Sequence, residues 1–322
     1  MNIIITHKSA LEYWRLHSSA RIVNAARLDL KDPPASIPSI ASICDKMPPE
    51  LSYPISLLAG SQNTKRKSSI VKLRIHTGKL PGRCFVSIGD GLAVSAPHFC
   101  FFQMADELTL IELIGLGFEL CGFYSLSVKQ DFVPGTGYAD NNAYSHPQLT
   151  NVRALKRLMA RMEGASGYKK ASRALRYIAD GSASPMETIL CILLTLPYHL
   201  GGYGLPTPEL NRRINLGKAD RERRDKSYYV CDLFWPVANL AIEYDSNRYH
   251  TGADRIADDS EKRLDLGVND ITVETVTNRQ IRNPAEVESL AKYIAKKLGR
   301  QLQHNRNPKF AAARRELRRL LL

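Results

Sequence analysis

No apolar run in this 322-residue chain reaches the roughly 18 residues that a membrane span needs, so no membrane partner is expected. The start, MNIIITHKSALEYWR, offers a three-residue apolar patch before a polar helical pattern, too little for a signal peptide. Its six cysteines (44, 84, 100, 121, 191 and 231) stand singly, with no CxxC pair. Neither a zinc site nor a disulfide framework is expected, and a cytoplasmic setting is. No Ser-His-Asp or Cys-His arrangement stands out, and there is no internal repeat. Gly201-Gly-Tyr-Gly204 is not followed by Gly-Lys-Ser/Thr and follows no clear strand, which argues against a nucleotide loop.

Acidic residues are also in short supply: 32 Asp and Glu face 45 Lys and Arg, a net charge of +13. That balance makes a polyanion, nucleic acid first, the natural partner. The excess is uneven. From Lys296 to Leu322 nine Lys or Arg face one Glu, so +8 of the +13 lies in the last 27 residues. Apolar residues at 44% and charged ones at 24% suit a folded globular chain, and the length suits two domains.

Periodicity predicts a short helix over 7–17, with Leu11, Tyr13 and Trp14 inward. A proline-rich stretch reads as loop, and strands follow at Ile55–Ala59 and Ile70–Thr77. Phe85–Ile88 and Leu92–Ser95 flank Gly89-Asp90-Gly91, a hairpin turn that exploits the positive φ open to glycine. Pro97 opens a helix, Thr109 to Glu112 is a capping box before another, and 151–163 is amphipathic. A second unit starts at Ser184-Pro-Met-Glu187, with serine at N-cap, proline at N1 and glutamate at N3. Two strands (SYYVCDLFW and LAIEYDS), a helix around Ala257–Leu266, a strand Ile271–Thr277 and a helix Ala285–Leu298 follow. The expectation is α/β, an α+β domain over 1–180 and a mixed sheet flanked by helices over 181–300. A basic helical tail over 301–322 completes it.

The chemistry is expected on the two strands between Ser227 and Ser246. Pairing Trp235 with Leu240 across Pro236–Asn239 makes paired residue numbers sum to 475, which sets Asp232 opposite Glu243. Asp245 falls on the same face as Glu243. Cys231, Leu233, Trp235, Leu240, Ile242 and Tyr244 then form the core face. Two carboxylates ~5 Å apart repel by roughly 3 kcal/mol at an effective dielectric of ~20. A divalent cation removes that penalty, and Mg²⁺ or Mn²⁺ suits oxygen ligands. Protonation, or a salt bridge to Lys or Arg, removes it too.

Asp232 followed by Glu243-Tyr-Asp245 resembles the split active site of PD-(D/E)XK nucleases. AIEYDSNRYH, then DDSEKRLDLG and a β-segment, with SPMETIL upstream, is similar to the DUF559 group, related to very-short-patch-repair endonucleases, over roughly residues 184–300. More loosely, the upstream half resembles bacterial proteins associated with AbiEi-type antitoxins. The resemblance implies a restriction-endonuclease-like domain that cleaves DNA, RNA being the less expected substrate, with Mg²⁺ or Mn²⁺ held by Asp232 and Glu243. Glu187 matches the first-helix acid and either completes the ligand set or acts as a plain capping glutamate. Asp245 stands where the motif has lysine, and His250 matches the histidine that would act as general acid or base. Ser246 replaces the glycine that usually follows the acid.

Asp259 and Lys262 with Arg263 match a D-x-x-R helix pattern, in which Lys262 or Arg263 supplies the missing positive charge, while Arg263, four residues from Asp259, equally fits a helix-surface ion pair. In the tail, Phe310, Ala313, Leu317, Leu320 and Leu321 form one stripe. Arg314, Arg315, Arg318 and Arg319 lie outside it, as a solvated face or as contacts to the phosphate backbone. The alternative to an endonuclease is a non-catalytic, AbiEi-like DNA-binding regulator that keeps the fold. A homodimer is compatible with both.

Overall fold

Alternation, capping residues and turn glycines place most elements where the sequence puts them. The computed structural model describes residues 3–17, 27–30, 32–35, 37–60, 68–127, 143–217, 226–245, 253–302 and 308–322. Among the described residues there are eleven α-helices and two mixed sheets, an α/β architecture. The chain divides into two compact units, Met1–Asp131 with Tyr144–Ile178, and Phe132–Ala143 with Ala179–Leu322.

The first unit opens with β1 (Ile3–Ile5), α1 (His7–Leu16), β2 (Arg27–Leu28), α2 (Ile40–Lys46), β3 (Ile55–Ala59) and β4 (Val71–Ile75). It continues with β5 (Phe85–Gly89), β6 (Leu92–Ser95), α3 (Pro97–Met104) and α4 (Leu110–Leu120). β7 (Tyr124–Leu126) and β8 (Ala143–Ser145) pair as a short ribbon, before α5 (Val152–Met159) and α6 (Tyr168–Ala174). The large sheet runs β2-β5-β6-β1-β3-β4. The three-isoleucine patch, too short to show a period, is an inner strand, parallel to β6 and antiparallel to β3. Leu11, Tyr13 and Trp14 of α1 are buried, with Trp14 Nε1 donating to the Ser95 carbonyl at 2.7 Å. Thr109 and Glu112 form the expected reciprocal cap.

In the second unit the order is α7 (Pro185–Thr195), β9 (Glu209–Asn215), β10 (Tyr228–Trp235), β11 (Leu240–Asp245), α8 (Ala253–Val268) and β12 (Thr272–Thr277). Then come α9 (Asn278–Arg282), α10 (Pro284–Lys297) and α11 (Pro308–Leu321). The sheet order is β12-β11-β10-β9: β9, β10 and β11 form an antiparallel meander, and β12 runs parallel to β11 after the α8 crossover. β9 is the element that composition hides. It is an edge strand whose residues are mostly polar and outward, and of them Leu210 is buried.

The β10–β11 pairs are Leu233↔Ile242, Phe234↔Ala241 and Trp235↔Leu240, the register the sequence sets. The single core face is corrected, however. Leu233, Trp235, Leu240 and Ile242 are buried, but Cys231 clusters with Tyr229, Phe234 and Ala241, and Tyr244 is half-buried. The reason lies in β9. Its pairing with β10 keeps one register on both sides of Asp232 but omits the Asp232–Asn211 pair, where Asn211 takes φ +46°. This left-handed kink interrupts the alternation, so Cys231 and Phe234 share a face although they are three residues apart.

Candidate active site

Asp232 sits where regular pairing of β10 lapses on both sides. Beyond Leu233↔Ile242 its carboxylate, rather than a backbone carbonyl, accepts the Tyr244 N–H, at 2.8 Å from Oδ2. Continuing the same register brings Glu243 opposite it. Toward β9, the kinked Asn211 turns its side-chain amide to the Gly181 carbonyl at 3.0 Å and to Glu187 Oε2 at 2.6 Å. Glu187, on the first turn of α7, also accepts the Ala183 N–H at 2.9 Å, while Ser184 caps its backbone. The buried Glu187 therefore has the structural job of an N-terminal cap and at the same time lies within the field of Asp232.

Lys262 of α8 completes the arrangement. Its Nζ lies 2.7 Å from Glu243 Oε2 and 2.7 Å from the Val230 carbonyl. A second tie holds the helix in register: the Tyr229 hydroxyl donates to the fully buried Asp265, 3.0 Å away and one turn beyond Lys262. Glu243 Oε1, in contrast, is buried and has no hydrogen-bond partner among the described residues. A buried acceptor left unmatched is costly and marks a place where a donor or cation belongs.

Burial dominates the electrostatics. It raises the Asp232 carboxyl above the ordinary range, against the Tyr244 N–H and the Lys262 charge. Glu243 is raised by burial and then by the Asp232 charge, with Lys262 and the neighbouring Cys231 thiol opposing. Glu187 is pushed up to about 7 by burial and by Asp232, although three hydrogen bonds pull the other way. Asp232 is thus the acid whose charge is felt by both of the others.

Of the remaining candidates, Asp245 ends β11 half-buried, in parallel register with Thr277. His250 and Ser246 lie outside the described residues, as does the side chain of Asp259. Arg263 donates to Thr275 Oγ1 on β12 at 2.7 Å, which fastens α8 to the sheet edge. The arginines of α11 are divided. Arg318 donates to the carbonyls of Ile281 and Arg282 at the end of α9, and Arg314 lies over the Tyr203 ring and beside Glu288. Arg319 pairs with Glu316, and both it and Arg315 are exposed. The helix is docked, not a free tail. Leu317 and Leu321 are buried, and Gly201 lets α11 approach so closely that a Cβ there would lie 2.8 Å from that of Leu317.

Sequence reasoning missed Asn211 and Asp265. Asn211 is hidden in a polar edge strand. Asp265 carried a signal, since it follows Lys262 by three positions and so shares its helix face.

No protein-family model, curated protein or solved structure matches the chain. Among the described residues no group of three or more His, Cys, Asp or Glu is arranged to hold a metal ion. The donors nearest to that role are two carboxylates, Asp232 and Glu243, one with an orphaned oxygen. Such a pair fits Mg²⁺ or Mn²⁺, which is held by one or two carboxylates and completes its shell with water and substrate phosphate.

Proposed function

We propose that the second unit is a divalent-metal-dependent nuclease that hydrolyses DNA phosphodiesters, with Asp232 and Glu243 as its metal-binding acids. The observation that carries the reading is the buried, opposed carboxylate pair whose Glu243 Oε1 lacks a partner. The order helix, three-stranded meander, crossover helix and parallel strand, with the acids on the second and third strands, also suits the restriction-endonuclease-like fold that the sequence resembles.

A bound Mg²⁺ or Mn²⁺ would polarise the phosphoryl oxygen and lower the pKa of a coordinated water. The protein's own groups have separate tasks. Asp232 is held by the Tyr244 N–H and Glu243 by Lys262, and the orphaned Glu243 Oε1 would be the oxygen offered to the cation. Lys262, reaching in from α8, supplies beside Glu243 the positive charge that Asp245 cannot supply from the strand, and so favours a phosphate there. Glu187 lies in the field of Asp232 on the α7 side. His250, placed by sequence after the strand, remains the proposed general acid or base.

The test is Mg²⁺-dependent cleavage of plasmid and single-stranded DNA, with RNA alongside. D232N and E243Q are each expected to lower the rate by at least ~10²-fold, since each removes a ligand of the group that carries the chemistry. Cleavage undiminished in both variants would sink the assignment. No cleavage of any nucleic acid, with salt-sensitive binding retained, would favour the non-catalytic regulator.

A further inference from the structure

The first unit concentrates cations at one place for which the nuclease reading has no use. Arg27 on β2, Arg83 in the turn before β5, His98 in the first turn of α3, Arg157 in the last turn of α5 and Arg161 just beyond it converge there. The charges acting on the largely buried His98 are those of Arg27, Arg157, Arg161 and Arg83, all cationic.

Carboxylates do not balance this set. Asp29 lies close by, but among the described residues no ion pair joins it to any of the four arginines. Arg161 instead donates to the Gly82 carbonyl at 3.5 Å. Arg27 is half-buried, and its Nη1 is a buried donor without a partner among the described residues. The unplaced charge costs most at that atom, because an unmatched guanidinium nitrogen beside further cations gains neither water nor a counter-ion. Gly82 lets the Asp29 carboxylate and Arg161 approach the turn before β5: a side chain there would run into that carboxylate and come within 3.7 Å of Arg161 Nη2.

We infer that Arg27, Arg83, His98, Arg157 and Arg161 form an anion site for a phosphate group, either a free phosphate or a phosphate of a nucleic-acid strand. Arg27 Nη1 supplies the buried donor, and the exposed Arg83, Arg157 and Arg161 close over the anion with planar, charge-assisted hydrogen bonds of the kind guanidinium makes to phosphate. The neutral imidazole of His98 offers one further N–H. The site belongs to the first unit and does not depend on the nuclease assignment.

Calorimetry on the full chain tests it, with inorganic phosphate in one arm and a single-stranded oligonucleotide in the other, both without divalent metal. The His98 ring resonance is followed in parallel. Saturable binding that shifts the His98 signal is expected in at least one arm. R27Q and the exposed double variant R157Q/R161Q should each weaken it at least ~10-fold, the cost of about one charge-assisted hydrogen bond. Binding in the phosphate arm identifies a small phosphate ligand, and binding confined to the oligonucleotide identifies a strand. The His98 shift on binding should persist in D232N/E243Q, and this readout, local to the first unit, keeps the outcome separate from that of the nuclease reading. Absence of saturable binding in both arms overturns the inference, as does binding undiminished in R157Q/R161Q with His98 unmoved.

Discussion

At the scale of single residues, Glu187 links stability to pH. Its carboxyl titrates near 7 in the folded protein, against an ordinary value of 4.5. The folded state therefore holds the proton more tightly than the unfolded one. The stabilisation is complete below about pH 4.5 and is lost as pH rises through 7. E187Q keeps an acceptor for the Ala183 N–H and the Asn211 amide but cannot ionise. It should match the wild type near pH 4.5 and exceed it by about 3 kcal/mol at pH 8, measured by urea unfolding without divalent metal. An equal gap at both pH values would remove the titration from the account. Lys262 acts in the opposite sense on Glu243, holding its pKa down against burial and Asp232. K262M should move the midpoint of Mn²⁺ binding to higher pH, which a pH series of calorimetric titrations would detect.

The element scale shows where sequence patterns suffice and where they fail. The β10–β11 register was legible because a tight connection fixes it, and a one-residue slip would turn every side chain to the wrong face. The face assignment around Asp232 was not legible, because it depends on Asn211 in the neighbouring strand adopting a left-handed backbone. β1 and β9 escaped for different reasons, β1 being too short to show a period and β9 too polar. The docking of α11 was only half legible. Its apolar stripe is plain, but its partner is the glycine turn at Gly201, far away in sequence. G201A has two penalties, a φ of +94° and a Cβ that would strike the Ala313 backbone. It should destabilise the protein by about 1–3 kcal/mol in chemical denaturation, with β10–β11 unaffected.

For the whole molecule, the net charge of +13 now divides into groups with different duties. Arg318 and Arg314 serve packing of α11, Lys262 serves the acids, and Arg315 and Arg319 remain at the surface. R315Q/R319Q should therefore lower the salt slope of DNA affinity by about 1–2 without changing thermal stability, whereas R318Q should lower the melting temperature first. A binding isotherm series in NaCl, read beside thermal melts, separates the two.

The central claim is that Asp232 and Glu243 hold a divalent cation. Calorimetric titration of the full chain with Mn²⁺ at pH 8 tests it most directly, with wild type, D232N and E243Q compared. The account predicts one saturable site in the wild type and none in either variant. Absence of a site in the wild type, or an equal affinity in all three proteins, would contradict it.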